Sequence, residues 1–398
     1  MSVTAARGFR AAGVRAGLKA SGKPDLALVV NDGPLDTAAG VFTTNRVVAA
    51  PVVWSRRLLA GHEGNEPGRA CAVVLNSGSA NACTGIQGLR DTEATAACAA
   101  GLLGTEPGQV LVCSTGVIGE RIDMPLLLEG IDVAALALAE TPRAGSDAAT
   151  AIMTTDTVSK EDSLAVGAGE ADWTIGGMIK GVGMLAPGMA TMLAVITTDA
   201  VLTPQQAQQA LSSVTARTVN RINSDGCMST NDTVLLLASG ASGVSPSRNE
   251  LEKALTEVMS RLGRRLVADA EGATHDIAIT VSGAVSEEAA EAAARTVSSS
   301  NLLKCAVAGA DPNWGRVLSQ LGTVPEDVCP FDPQEVDVTI NGVTIFCHGV
   351  PDQDRDLVDM SPRETRIDIA LSAGRAEATV WTNDLTHGYI TINADYTT

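Results

Sequence analysis

Residues 180–200, KGVGMLAPGMATMLAVITTDA, leave the middle of the chain little conformational choice. Gly181, Gly183, Pro187 and Gly188 make the first half a turn-rich loop. From Met192 to Ile196 every side chain is apolar, the pattern of a short, fully buried strand. Thr191 stands where loop becomes strand, with the small Ala190 before it. A threonine hydroxyl is a weak nucleophile unless a base activates it, and the α-amine of an N-terminal threonine is such a base. A mid-chain threonine reaches that state if its own hydroxyl attacks the preceding carbonyl, the amide shifts to an ester, and water cuts it. A loop able to hold a strained peptide suits that step, and so does the lack of bulk at Ala190. The same residues also suit a buried loop entering a core strand, with the Thr191 hydroxyl satisfied by backbone.

The rest of the chain can enclose such a segment. It has 398 residues, 45% of them hydrophobic, which suggests two or three domains and a large core. No run of 18 apolar residues occurs, so no spanning helix is expected. The N-terminus has basic residues but no apolar region before a cleavage site, so no secretory signal is expected. The net charge of −18 opposes binding to nucleic acid or to anionic membranes. Eight cysteines occur without a CxxC pair, and Cys71, Cys98, Cys113 and Cys305 lie in apolar stretches. Free, buried thiols in a reducing cytosol are expected rather than a disulfide framework. The four histidines show no HxH or HExxH spacing, so neither a metal nor another bound cofactor is expected.

Strands are expected at 26–31, 38–42, 47–54, 71–75, 110–113, 164–166, 173–175, 192–196, 234–238 and 277–281. Four more close the chain at 336–340, 343–347, 366–371 and 376–381. Asn341-Gly342 is a hairpin signal between two of these. Helices are expected at 91–101 with Thr92 as a candidate cap, near Pro125, and at 147–153, 204–218, 249–269 and 286–298. This alternation predicts an α/β or α+β layered fold.

Several polar segments punctuate these elements. Ser114-Thr115-Gly116 ends a strand, and a hydroxyl beside a glycine amide can supply two donors to a developing oxyanion. A strand-end turn would use the same glycine. Thr154 and Thr155 in AIMTTDT suit substrate polar groups or a helix cap. Lys180, on a glycine-flanked loop, suits a substrate carboxylate or open solvent. Glu271 in ADAEGATHD suits a substrate ammonium or a capping role. DPNWGR at 311–316 suggests support for a site or an interface. NADYTT at 393–398 ends the chain, where frayed backbone is the ordinary expectation.

Taken together, CSTG, TTDT, KGVGMLAPGMAT, DAEG, DPNWGR and NADYTT occur in one order from Gly8 to Thr398. In that order they resemble the ornithine acetyltransferase (glutamate N-acetyltransferase) family of arginine biosynthesis. The resemblance implies an αββα sandwich similar to N-terminal nucleophile hydrolases. It implies self-cleavage between Ala190 and Thr191 into an α chain, 1–190, and a β chain, 191–398, with a smaller α/β subdomain from about 280 to 398. Thr191 would be the nucleophile, and Thr115 and Gly116 the oxyanion hole. Thr154, Lys180, Thr191, Glu271, Asn393 and Thr398 would bind substrate. The implied partners are N2-acetyl-L-ornithine and L-glutamate, with acetyl-CoA as a further donor left open, in a cytoplasmic α2β2 assembly. A self-processing aminopeptidase of similar fold and a non-catalytic small-molecule binder are the rival readings.

Overall fold

The computed structural model describes residues 2–62, 64–167, 169, 172–184 and 192–395. Ala190, Thr191 and Thr398 lie outside the described residues.

Three sheets carry the fold. The first runs β1 (Phe9–Val14), β2 (Leu26–Asn31), β4 (Ala72–Ser79), β5 (Val110–Val117). Only its β4–β5 pair is parallel. The second runs β3 (Thr37–Phe42), β9 (Thr233–Ala238), β8 (Leu193–Thr198), β7 (Trp173–Lys180), β6 (Lys160–Val166). Its β8–β9 pair is parallel and the others antiparallel.

The apolar runs of β8 and β9 are buried on both faces, and their alternation sorts side chains into two cores. Leu193, Val195, Leu235 and Leu237 join Leu28 and Val74 of the first sheet in one cluster. Ala194, Ile196, Val234 and Leu236 join α5 (Pro204–Arg217) and α6 (Arg248–Ala268) in another. Helices α1 (Ala50–Leu59), α2 (Gly85–Leu103), α3 (Met124–Leu136) and α4 (Pro142–Ala151) pack on the first sheet. Helices thus flank two stacked sheets, the expected αββα layering.

A third sheet runs β13 (Val350–Pro351), β12 (Val343–Cys347), β11 (Asp337–Ile340), β14 (Glu364–Ala370), β10 (Asp276–Ala284), β15 (Ala376–Asn383). With α7 (Glu287–Ser298), α8 (Asn301–Ala308) and α9 (Trp314–Leu321) it encloses an aliphatic core of its own. Both residues of the Asn341-Gly342 turn have positive φ, 47° and 83°, as a type I′ hairpin requires. Helix α10 (His387–Asp395) then returns the chain to the first two sheets.

Several expectations are corrected. Residues 47–54 are not a strand: helix α1 starts at Ala50, with Pro51 in its first turn. Proline's fixed φ and missing N–H suit that position, and Trp54 and Ser55 side chains then bond the carbonyls of Val110 and Val112. Thr92 is not a cap: α2 begins at Gly85, and the buried Thr92 hydroxyl donates to the Gly88 carbonyl. Ser114-Thr115-Gly116 does stand at the end of a strand, but inside β5 and paired with Asn76–Gly78 rather than in a turn. A Cβ on Gly116 would lie 2.3 Å from the Gly78 carbonyl carbon, so only glycine permits this close pairing. Lys180 ends β7 and is 1% exposed, contrary to a loop position. Cys305 is exposed, although Cys113 is buried as expected and all eight thiols are free.

Candidate active site

The two stacked sheets and α10 meet at a cavity of about 170 Å³. Thr115 and Gly116 reach it from the end of β5, Lys180 from the end of β7, and Val182, Gly183 and Met184 from the segment that follows. Thr154 and Thr155 reach it from the loop after α4. Glu271 comes from just beyond α6, Asp225 and Cys227 from the loop before β9, and Tyr389 and Asn393 from α10. Six residues singled out in the sequence, Thr115, Gly116, Thr154, Lys180, Glu271 and Asn393, therefore share one wall.

Hydrogen bonds hold these groups in place. The Lys180 ammonium donates to the Thr115 hydroxyl at 3.3 Å, which leaves that hydroxyl's own proton to donate elsewhere. Glu271 accepts from the Thr155 hydroxyl and from the Asn393 amide, each at 2.9 Å, and its backbone N–H donates to the Val182 carbonyl. A Cβ on Gly183 would sit 2.8 Å from a Glu271 carboxylate oxygen, so the glycine makes room for the acid. Asp225 accepts from the Met184 and Cys227 amides and from the Tyr389 hydroxyl.

Burial controls the electrostatics. Desolvation pushes the Lys180 ammonium below the ordinary lysine range, and Lys160 pushes the same way, while Asp156, Asp232 and Glu271 oppose it. Burial raises the Asp232 carboxyl well above the usual carboxylate range. One of its oxygens accepts from the Met192 amide at 2.9 Å, and the other has no hydrogen bond among the described residues. Ser229 lies outside bonding geometry for that oxygen yet still favours the charged form, as do the Met192 amide and Lys180. For Asp156 the balance tips the other way. Burial alone would raise it, but Lys180, Lys160 and the Thr154 amide together hold it down at about 2.

The site thus contains residues that pattern reading missed. Asp156 lies in TTDT, a segment already marked as polar, whereas Asp225 and Asp232 lie in SDGCMSTND and Tyr389 lies just before the NADYTT tail. What would have distinguished them was an acid flanked by residues that become buried. The DPNWGR segment does not line the cavity: Trp314 stacks on Phe346, 5.0 Å between centroids, inside the C-terminal lobe. Among the described residues one group could bring three metal-ligand atoms within 4.8 Å of one another, Asp337, Cys347 and His348, also in that lobe. Among the described helices none is long and apolar enough to cross a membrane.

Comparison with known proteins places this geometry. The ArgJ family model matches residues 10–398. The arginine biosynthesis bifunctional protein ArgJ of Bifidobacterium longum is 57% identical over 398 residues, covering 100% of both chains. Its namesake from Streptomyces coelicolor is 54% identical over 396 residues, again covering 100% of both. A solved structure of ornithine acetyltransferase complexed with ornithine, from Mycobacterium tuberculosis, aligns at 51% identity over 48% of this chain and 96% of that one, with a TM-score of 0.44. Matched along nearly its whole length by the family model, and similar end to end to such relatives, the chain belongs to the ArgJ family, the arginine-biosynthesis acetyltransferases whose signature segments it carries.

Proposed function

We propose that this chain moves an acetyl group from N2-acetyl-L-ornithine to L-glutamate through an acetyl ester on Thr191. The observation that supports the reading best is convergence. Residues between 115 and 393 meet on one cavity wall beside β8, the strand that begins two residues after Thr191.

In the proposed sequence of steps, the chain first cuts itself between Ala190 and Thr191, leaving 1–190 and 191–398 associated. The freed α-amine of Thr191 takes the proton from its own hydroxyl. The hydroxyl oxygen attacks the acetyl carbonyl of acetylornithine, and the carbonyl electrons move onto oxygen. The Thr115 hydroxyl and the Gly116 amide donate to that oxyanion. Lys180, already bonded to the Thr115 oxygen, polarises the hydroxyl and makes it a stronger donor, as a charge-assisted contact does. The C–N bond breaks, the proton held by the α-amine passes to the leaving amine, and ornithine departs. The glutamate amine then attacks the ester, the C–O bond breaks, and Thr191 recovers its proton. Lys180 suits a substrate carboxylate and Glu271 a substrate ammonium. Thr154, Asn393 and Thr398 complete the contacts. Acetyl-CoA would serve as a further donor at the same nucleophile. The working form is a cytoplasmic α2β2 assembly.

Intact mass under denaturing conditions tests the first step. Two species divided at Ala190/Thr191 are expected from the natural protein, and one uncut, inactive species from Thr191→Ala. A cleaved, active Thr191→Ala protein would overturn the reading. Product analysis with acetylornithine separates transfer from hydrolysis: acetylglutamate should appear only when glutamate is supplied, whereas a self-processing aminopeptidase would release products without it.

A further inference from the structure

Beside the first cavity lies a cluster of buried charge, Asp156, Lys160 and Asp269, that does not line it. The Asp156 side chain is 1% exposed, Lys160 0% and Asp269 7%. Lys160 sits between the two acids, its ammonium 2.6 Å from a carboxylate oxygen of each. Asp269 accepts from the Thr157 amide at 3.1 Å and from the Thr157 hydroxyl, and it lies two residues before Glu271. Asp156 does more than pair with Lys160. The same oxygen that meets Lys160 accepts the Gly181 amide at 2.9 Å, the residue after Lys180. Its second oxygen accepts the Thr154 amide at 3.0 Å and faces the Thr154 hydroxyl at 3.5 Å.

An arrangement like this contributes little net stability, because desolvating the ions costs about as much as their attraction returns. Two acids and two bases, Asp156 and Asp269 with Lys160 and Lys180, nevertheless balance to zero net charge in the interior. The backbone contacts explain what the balance is for. The Thr154 segment has no regular structure and the 181–184 segment is a loop, so neither is located by a helix or a sheet ladder. One carboxylate bonds to the start of both, the Thr154 amide and the Gly181 amide.

We propose that Asp156 is a positioning residue of this site: it touches no substrate, sets the placement of the Thr154 and Gly181 segments against each other, and supplies a counter-charge for Lys180. The proposal rests on the acetyl-transfer reading for the roles of Thr154 and Lys180, but not for the titration that tests it. Among the described residues the charged groups acting on Lys180 include Asp156, Asp232 and Glu271, which favour its ammonium, and Lys160 and Lys19, which disfavour it. Removing Asp156 must therefore lower the pH at which Lys180 loses its proton, and removing Lys160 must raise it. A merely structural defect would not move the two in opposite directions.

The experiment is an NMR titration of protein labelled with [ε-13C]lysine, the Lys180 signal being the one lost in Lys180→Arg. Asp156→Asn should move the Lys180 midpoint to lower pH and Lys160→Met to higher pH. The shift in either variant alone decides the matter if the other does not fold. An unmoved midpoint in Asp156→Asn, or a downward shift in Lys160→Met, overturns the proposal whether or not acetylornithine is the substrate. With acetylornithine, Asp156→Asn should raise KM roughly tenfold or more while kcat falls less, since misplacement of contact groups weakens binding before chemistry. Asp156→Glu, which keeps the charge, should recover part of that loss. A wild-type KM in Asp156→Asn sinks the positioning role, whereas absence of turnover in the natural protein sinks the acetyl-transfer reading instead.

Discussion

The C-terminal lobe and the cavity region bury opposite kinds of side chain. The lobe on β10–β15 encloses Ile277, Ile367, Val338 and an alanine face of α7. Among the described residues after 276, the fully hidden acids and bases are Lys304 and Asp384, and both line a second cavity sharing Asp225, Glu271 and Tyr389 with the first. Around the first cavity, by contrast, Asp156, Lys160, Lys180 and Asp232 are all buried. Moving a charge out of water is costly unless it is paired and hydrogen-bonded. A core that needs only to hold together avoids the expense, as the lobe does. Asp25, Asp91 and Asp199 are buried elsewhere, but the buried lysines Lys160, Lys180 and Lys304 all gather near the two cavities, where perturbed ionisable groups are expected to cluster.

Lys180→Met would break this comparison most sharply. It removes the buried ammonium while Lys160 still neutralises Asp156, so the chain should remain folded by circular dichroism. The kcat/KM for acetyl transfer should drop on the order of a hundredfold or more, the scale for losing one member of a buried charged contact. Near-normal turnover would make the buried charge architectural. Next in size, Ile367→Ala in the aliphatic lobe should cost about 2–5 kcal/mol in denaturant unfolding and leave turnover per folded molecule unchanged. A matching loss of kcat would join lobe and site into one unit. The smallest expected effect lies between the two regions. Ser247 caps α6 by accepting from the Glu250 amide, and Ser247→Ala should cost about 1 kcal/mol of stability. Because α6 ends at Ala268 and Asp269, its C-cap, pairs with Lys160, a KM change beyond that modest destabilisation would sharpen the picture, tying the helix to the charged cluster.

The strands with continuous apolar runs, β2, β4, β8 and β9, were legible because burial on both faces leaves a composition that no surface element shares. The β11–β12 hairpin was legible because Asn-Gly is among the few pairs that tolerate positive φ at both turn positions. Residues 47–54 misled for a related reason: Val47, Val48, Val52 and Val53 have strand composition, yet Pro51 begins a helix whose packing on β5 outweighs propensity. β1, α8, α9 and α10 span only 6, 8, 8 and 9 residues, windows too short for a period to stand out. The family was legible from its ordered signature segments, and the comparisons bear that out.

By itself, the sequence determined the layered α/β class, the family and a set of polar segments standing at the ends of apolar strands. Local pattern encodes these, because hydrophobic period and turn chemistry act over a few residues. Only the tertiary structure decided that Thr115, Thr154, Lys180, Glu271 and Asn393 face one another. It alone turned Lys180 from an expected loop cation into a buried one and brought out Asp156. Solvation and Coulomb energy depend on distances between residues far apart in the chain. No local pattern carries that information; it appears only when the sheets stack.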